Sequence, residues 1–311
     1  MKHFVQITDF SVEEIQATLK LTEELKTHRL KTPKILDQES WGLLFYKSST
    51  RTRVSFEVGV QELGANAIVL NSQSTQIGRG ETIKDTAKVL SRYLHGLVIR
   101  AYDHSVVTEF AEHATMPIVN GLTDFNHPCQ ILTDIYSILE RYSPKEVNLQ
   151  ALEGKKVVFL GDTASNMANS WILAAAYLNF ELILAGPDGF EPKHSVLKAL
   201  KDSNLTARHS FTNDAMAATE NADVLYTDVW VSMGDENEAE ARKATMKNYQ
   251  VNEALLKNAH KDALFLHCLP AHLNEEVTQG VIEGAHSIVY DQAENRLHTQ
   301  KAVMAQLKAL R

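Results

Sequence analysis

Apolar positions along this chain alternate between short unbroken runs and stretches with helical spacing. The runs Gly42–Tyr46, Ala67–Leu70, Leu97–Ile99 and Pro117–Val119 predict buried parallel strands, because strands covered on both faces lose the apolar–polar alternation. Between them, residues 52–63, 82–93 and 105–115 carry apolar side chains every three or four positions and predict helices. An earlier helix is signalled by Ser11 and Glu14, a capping box ahead of Ile15, Leu19, Leu21 and Leu25. Residues 129–142 predict a longer helix, with Ile131, Ile135, Ile138 and Leu139 on one side and Pro128 suited to its first turn. The segment Tyr142-Ser143-Pro144-Lys145-Glu146 ends it and reads as a boundary. A second series follows at Val157–Leu160, Leu182–Ala185, Val224–Tyr226, Ala263–Leu266 and Ser287–Tyr290, with a terminal helix over 299–310. The expected fold is α/β, with two doubly wound parallel-sheet domains, 1–142 and 150–298, and a helix 299–311 that packs back on the first.

Unusual polar clusters follow the apolar runs. Lys47-Ser48-Ser49-Thr50-Arg51-Thr52-Arg53 comes after the first, Arg100 after the third, and His127-Pro128-Cys129-Gln130 beyond the fourth. In the second series, Gly161-Asp162-Thr163-Ala164-Ser165-Asn166, then Asp228 with Ser232-Met233-Gly234, then His267-Cys268-Leu269-Pro270 stand in the same places. Open parallel sheets bind ligands outside the carboxyl ends of their strands. Clusters confined to those ends imply one active site, expected in the cleft between the two domains.

Composition narrows the chemistry. With 44% apolar and 23% charged residues over 311 positions, the chain is ordinary globular protein and large enough for a sizeable core. A formal net charge of −8 argues against a general nucleic-acid partner, but leaves room for a small basic pocket. Two cysteines among thirteen histidines give no disulfide framework and suit a reducing, cytoplasmic setting. The start of the chain lacks the apolar core of a secretory signal, and no apolar stretch approaches the ~18 residues of a membrane span.

Ser49, Thr50 and Thr52 place hydroxyls and backbone N–H groups where a helix begins, and Arg51 adds a planar fork for phosphate oxygens. Taken alone, the cluster also fits an ordinary helix cap with solvated arginines. It is not a P-loop, and residues 161–166 hold a single glycine, so no nucleotide cofactor is supported. Arg100 and His127 read equally well as structural groups or as stabilisers of an oxyanion near a phosphate. His267-Cys268-Leu269-Pro270-Ala271-His272 matches no zinc spacing, so no metal is expected. Cys268 is open as nucleophile, polar contact or buried thiol, and Cys129 reads as structural.

In chain order, Ser49-Thr50-Arg51-Thr52-Arg53, His127-Pro128-Cys129-Gln130, Asp228 with Ser232-Met233-Gly234, and His267-Cys268-Leu269-Pro270 resemble the aspartate/ornithine carbamoyltransferase family. The last two motifs resemble its ornithine branch. The likeness spans nearly the whole chain, including Gln76-Ile77-Gly78-Arg79-Gly80-Glu81 and Glu294-Asn295-Arg296.

The resemblance implies that Ser49, Thr50, Arg51, Thr52, Gln76 and Arg100 hold the phosphate of carbamoyl phosphate, and that His127 and Gln130 bind its carbamoyl group. Thr52 and Arg100 would polarise the carbonyl. Asn166, Asp228, Ser232 and Met233 would bind the amino-acid end of L-ornithine, with Cys268 and Leu269 beside the reacting amine and Arg296 over the carbamoyl phosphate. It also implies no cofactor, a role in arginine metabolism, and a homotrimer or multiple of trimers in which Gln76 serves its own or a neighbouring subunit. Two departures stand out: Ser165 precedes Asn166 where the family often has two asparagines, and Tyr46 replaces an acidic residue, a change expected to affect packing. The rivals are a putrescine, acetylornithine or aspartate carbamoyltransferase and a catalytically silent relative; intact Arg51, Arg100, His127 and Cys268 argue against the last.

Overall fold

Helix α1 (Val12–Thr27) starts where its capping box predicts: the Glu14 N–H donates to Ser11 Oγ at 3.2 Å, and the Ser11 N–H donates to the Glu14 carboxylate at 2.7 Å. The computed structural model describes residues 1–71, 80–231 and 239–311. After α1 come β1 (Ser40–Phe45), α2 (Arg51–Glu62), β2 (Asn66–Asn71), α3 (Ile83–Leu90), β3 (Gly96–Arg100), α4 (His104–His113), β4 (Ile118–Leu122) and α5 (Pro128–Tyr142). The four strands are parallel in the order β2-β1-β3-β4. The chain leaves β1 for β2 on one side and resumes with β3 on the other, so the strand order reverses between β1 and β3. Phe45 pairs with both Asn71 and Arg100, which aligns the carboxyl ends of three strands.

A second parallel sheet repeats the scheme. Its elements are β5 (Lys156–Leu160), α6 (Asn166–Leu178), β6 (Glu181–Ala185), α7 (His194–Asp202), β7 (His209–Thr212), α8 (Ala215–Thr219), β8 (Val224–Thr227), α9 (Ala239–Met246), α10 (Glu253–Asn258), β9 (Leu264–His267), α11 (Gln279–Ile282) and α12 (Val289–Ala309). Strand order is β7-β6-β5-β8-β9, with the reversal between β5 and β8. Two doubly wound parallel sheets are therefore present, as the apolar runs predict.

Three local readings are corrected. Strand β7 was not expected: His209-Ser210-Phe211-Thr212 has one apolar residue, and as an edge strand it is only partly buried. The expected strand Ser287–Tyr290 is not one. Ser287 makes a lone bridge to Phe265, and the chain turns helical at Val289. The terminal helix consequently begins ten residues before position 299.

The chain divides into two units, one of Met1–Tyr136, Lys145–Val147 and Glu294–Arg311, the other of Ser137–Pro144 and Asn148–Ala293. Each has its own apolar core. The first includes Leu44, Leu97, Ile99, Val107, Phe110 and Ile118, with Tyr46 packed against it; the second includes Val158, Leu160, Leu225, Phe265, Val277 and Val281. Tyr46 thus serves packing, as its departure from the family pattern suggests. Among the described residues no helix is long and apolar enough to cross a membrane.

Gly96 opens β3 in register with Trp41, and a Cβ there would meet three Trp41 ring atoms at 2.5–2.6 Å. The ring has little freedom to yield, because it is fully buried and its Nε1–H donates to Glu39 at 2.9 Å. Gly96→Ala is therefore expected to cost about 1–3 kcal/mol of stability. Urea unfolding measures it, and a loss below about 0.5 kcal/mol would show that the indole can move aside.

Candidate functional site

At the carboxyl ends of β1 and β3, register decides what meets. Arg100, the last residue of β3, lies opposite Phe45, and α2 starts six residues after Phe45 at Arg51. That brings Thr52, in the first turn of α2, under the Arg100 guanidinium: Nη1 donates to Thr52 Oγ1 at 3.2 Å. A second guanidinium reaches the same hydroxyl from α12, with Arg296 Nη2 donating at 3.2 Å. Arg296 Nη1 donates to Gln130 Oε1, while Gln130 Nε2 donates to Asp134 Oδ1 at 2.6 Å. A carboxylate only accepts, so Asp134 sets the orientation of the Gln130 amide and turns its oxygen toward Arg296. Thr52, Arg100, Gln130, Asp134 and Arg296 are all buried. Two buried cations beside a helix N-terminus, whose first N–H groups lack intrahelical acceptors, make a local field suited to an anion.

His127 completes this group. Its carbonyl accepts the N–H groups of Gln130 and Ile131, so Pro128 opens α5 as expected. The loop before it is held by buried amides: Asn120 Nδ2 donates to Asn126 Oδ1 at 2.6 Å and to the Val5 carbonyl at 3.1 Å. Burial, reinforced by the charges of Arg296 and Arg100, holds the His127 imidazole well below its usual pKa. It is a neutral ring in a cationic setting, able to donate one N–H. Cys129 is buried and its thiol pKa is pushed up to about 12 by burial, which supports the structural reading.

Of the remaining residues expected here, Ser49 is half-buried, while Thr50 and Arg51 are exposed at the start of α2. Gln76 lies outside the described residues, as do Ser232 and Met233.

In the second unit the pairing Leu160↔Thr227↔His267 aligns β5, β8 and β9. Asp228 and Cys268 each follow the last residue of neighbouring strands, and Cys268 Sγ donates to Asp228 Oδ1 at 3.0 Å. The same oxygen accepts the Val229 N–H at 2.8 Å. Sequence reasoning missed what holds Cys268 there. His267 and Glu276 are fully buried, with Nε2 3.2 Å from Glu276 Oε1, and His267 Nδ1 accepts the Leu269 N–H at 2.8 Å. That pattern assigns the proton to Nε2 and pins the backbone on both sides of Cys268. Ligand-capable atoms of Asp228, His267 and Cys268 lie within 4.8 Å of one another. Both ring nitrogens of His267 are already engaged, which leaves a metal only a carboxylate and a thiol.

Asn166 opens α6, half-buried. Ser165, the departure from the family pattern, is its N-cap: Ser165 Oγ accepts the Ala168 N–H at 3.2 Å. The residues missed by sequence reasoning, Asn120, Asn126, Asp134 and Glu276, act through other residues. Asn120 alone carried a signal, as an amide inside an otherwise apolar strand.

Comparison with known proteins agrees in both units. Residues 2–140 match the model of the carbamoyl-P binding domain of aspartate/ornithine carbamoyltransferases, and residues 153–307 match that of the Asp/Orn binding domain. The ornithine carbamoyltransferase of Syntrophus aciditrophicus is 46% identical over 97% of this chain and 98% of its own length. That of Thermococcus kodakarensis is 45% identical over 96% and 94%. Among solved structures, the ornithine carbamoyltransferase from Pyrococcus furiosus superposes with a TM-score of 0.88 at 43% identity, covering 98% of this chain and 96% of that one.

His127 supplies a direct test of the field. Its folded pKa is depressed, so its contribution to stability is present above the usual imidazole range and is lost as pH falls below it, where the unfolded chain takes up a proton. Ring nitrogen NMR should show His127 neutral from about pH 8 down to about pH 6. Titration near the ordinary value would mean that neither burial nor the two guanidiniums act on this ring as described.

Proposed function

The chain belongs to the aspartate/ornithine carbamoyltransferase family of enzymes, and we propose that it is an ornithine carbamoyltransferase, converting carbamoyl phosphate and L-ornithine to L-citrulline and phosphate. The observation that carries the reading is the meeting of two buried guanidiniums on the Thr52 hydroxyl beside a neutral imidazole. Carbamoyl phosphate offers what that arrangement needs, a polyanion next to a carbonyl.

In this reading the first unit binds carbamoyl phosphate. Ser49, Thr50, Arg51 and Thr52 take the phosphate with Arg100, on N–H groups and cations at the start of α2. The His127 N–H and the Gln130 amide take the carbamoyl group, and Arg100 with Arg296 stabilises the oxygen as it gains charge. The neutral δ-amine of ornithine attacks the carbamoyl carbon, forming the C–N bond. The carbonyl π pair moves to oxygen, then returns as the C–O bond to phosphate breaks, and the nitrogen loses a proton. An alkyl ammonium titrates near ~10.4, so a neutral amine must be selected or produced at the site. Cys268, held by the His267–Glu276 pair, is the group beside that amine. Phosphate leaves readily, so orientation, exclusion of water and charge stabilisation suffice.

The second unit binds the amino-acid end. Among the described residues both hydrogen bonds to the Asp228 carboxylate fall on Oδ1, so in this reading Oδ2 takes the α-ammonium, while the Asn166 amide serves the α-carboxylate. On the family resemblance we further assign a trimeric assembly, a cytoplasmic setting and a place in arginine metabolism.

Specificity separates this reading from its rivals. Putrescine presents the same reacting amine without the α-carboxylate, and would leave the donors meant for that group unpaired. The kcat/KM for L-ornithine is expected to exceed that for putrescine by at least ~10³-fold, with acetylornithine and aspartate also poor. Asp228→Ala should cut ornithine use severely without producing a putrescine enzyme. Citrulline and carbamoyl-product assays with the four amines decide it. Comparable efficiency for ornithine and putrescine in the wild type would refute the assignment, and no turnover of any amine would indicate a silent relative.

A further inference from the structure

The turn that leads from β5 to Asn166 is braced from three sides at the carboxyl edge of the second sheet. Gly161, with φ +111°, brings the backbone against Trp230 from the segment after β8; a Cβ there would stand 3.1 Å from the indole. Thr163 Oγ1 donates to the Phe190 carbonyl from the segment after β6. Between them Asp162 turns inward, 6% exposed, and uses both carboxylate oxygens: Oδ1 accepts the Ala164 N–H at 3.0 Å, and Oδ2 accepts from Arg242 Nη1 at 3.0 Å. The Arg242 guanidinium lies 5.2 Å from the Phe190 ring centroid, so one side chain from α9 grips two of the three braces.

We propose that Arg242 and Asp162 are a positioning pair for the amino-acid substrate, fixing the β5–α6 turn so that Asn166 keeps its place at the start of α6. This inference rests on the ornithine reading given above. The pair is set apart from ordinary surface ion pairs by burial. Asp162 is desolvated enough that its carboxyl is raised above the usual range, against the pull of the Ala164 N–H and the Arg242 charge. Removing the guanidinium leaves a buried carboxylate with one partner fewer, and the turn it holds must rearrange. From Asp162 the path to the ligand is short. Its carbonyl accepts the Ser165 N–H at 3.2 Å, Ser165 caps α6, and Asn166 is the next residue. The neighbouring Lys243 on the same helix pairs with Glu275 at 2.8 Å, with both side chains partly open to solvent, and such pairs contribute little. That provides an internal control.

The experiment is steady-state kinetics of Arg242→Gln, Arg242→Lys, Asp162→Asn and Lys243→Gln, with melting temperatures measured alongside. Binding of L-norvaline, which keeps the α-amino acid end but lacks the δ-amine, is the second readout. In Arg242→Gln and Asp162→Asn the KM for ornithine and the Kd for norvaline should both rise about tenfold or more, with kcat within about threefold and the KM for carbamoyl phosphate within about twofold of wild type. Arg242→Lys keeps the charge without the planar fork and should recover part of the loss. The double variant Arg242→Gln/Asp162→Asn should be no worse than the poorer single one, and Lys243→Gln should match wild type. Should Arg242→Gln fail to fold, Arg242→Lys and Asp162→Asn carry the test. A lower melting temperature with unchanged ornithine KM and norvaline affinity would overturn the proposal and leave a structural brace, as would an equal rise in KM for both substrates. Absence of ornithine turnover in the wild type would strike the functional reading itself, a result separate from the behaviour of the variants.

Discussion

Two guanidinium groups, Arg100 and Arg296, are held out of water on a single hydroxyl, Thr52, and much of the first unit is organised around that demand. Burying like charges together is costly unless their donors are satisfied and opposite charge is near. Thr52 and Gln130 accept from some of those donors, and Asp134 supplies opposite charge, reaching Arg296 through the Gln130 amide. In the proposed reading the cost that remains gives the site its use, because an arriving anion would complete the balance. Burial, with the same charges assisting, keeps His127 neutral and so fixes which hydrogen-bonding role the imidazole can play.

Holding Arg296 to that hydroxyl requires α5 and α12 to stay in register. Gln130 meets Arg296, and three residues further along both helices Thr133 Oγ1 meets Thr299 Oγ1 at 2.6 Å. Two rungs spaced by i,i+3 lie on one face of each helix, so a slip of either helix would break both. Farther along α12, Lys301 is fully buried and pairs with Glu62 of α2 at 2.7 Å. These polar contacts tie α12 to the helix that carries Thr52, which links the packing of the unit to the geometry of its charged centre.

The second unit solves a different problem with the same scaffold. Its reactive-looking groups, Asp228 and Cys268, are only half-buried and are placed by strand register. A buried hydrogen bond between His267 and Glu276 stands behind them, and His267 grips the backbone through Leu269. The buried groups of the first unit are cations gathered on one hydroxyl, whereas those of the second hold a turn. The first arrangement sits where strand order reverses, between β1 and β3, whereas the second lies one strand to the side of its reversal, at the ends of β8 and β9.

The sequence by itself determined the features whose physics is local. Unbroken apolar runs set eight of the nine strands among the described residues, Ser11 with Glu14 set the start of α1, and Pro128 the start of α5. It also placed Thr52, Arg100, His127, Asp228 and Cys268 at strand or helix ends, because the order of strand, turn and helix can be read along the chain. What the tertiary structure decided was where partners are far apart in sequence. Arg296 and Thr52 are separated by 244 positions, and Gln130 and Arg296 by 166. Residues 291–298 are mostly polar and fall outside the terminal helix that the sequence predicts, yet they belong to α12, where Gln292, Asn295, Arg296 and His298 are buried. Edge strand β7 escaped notice for the converse reason: its pairing with β6 comes from backbone hydrogen bonds, which leave no apolar signature in the side chains.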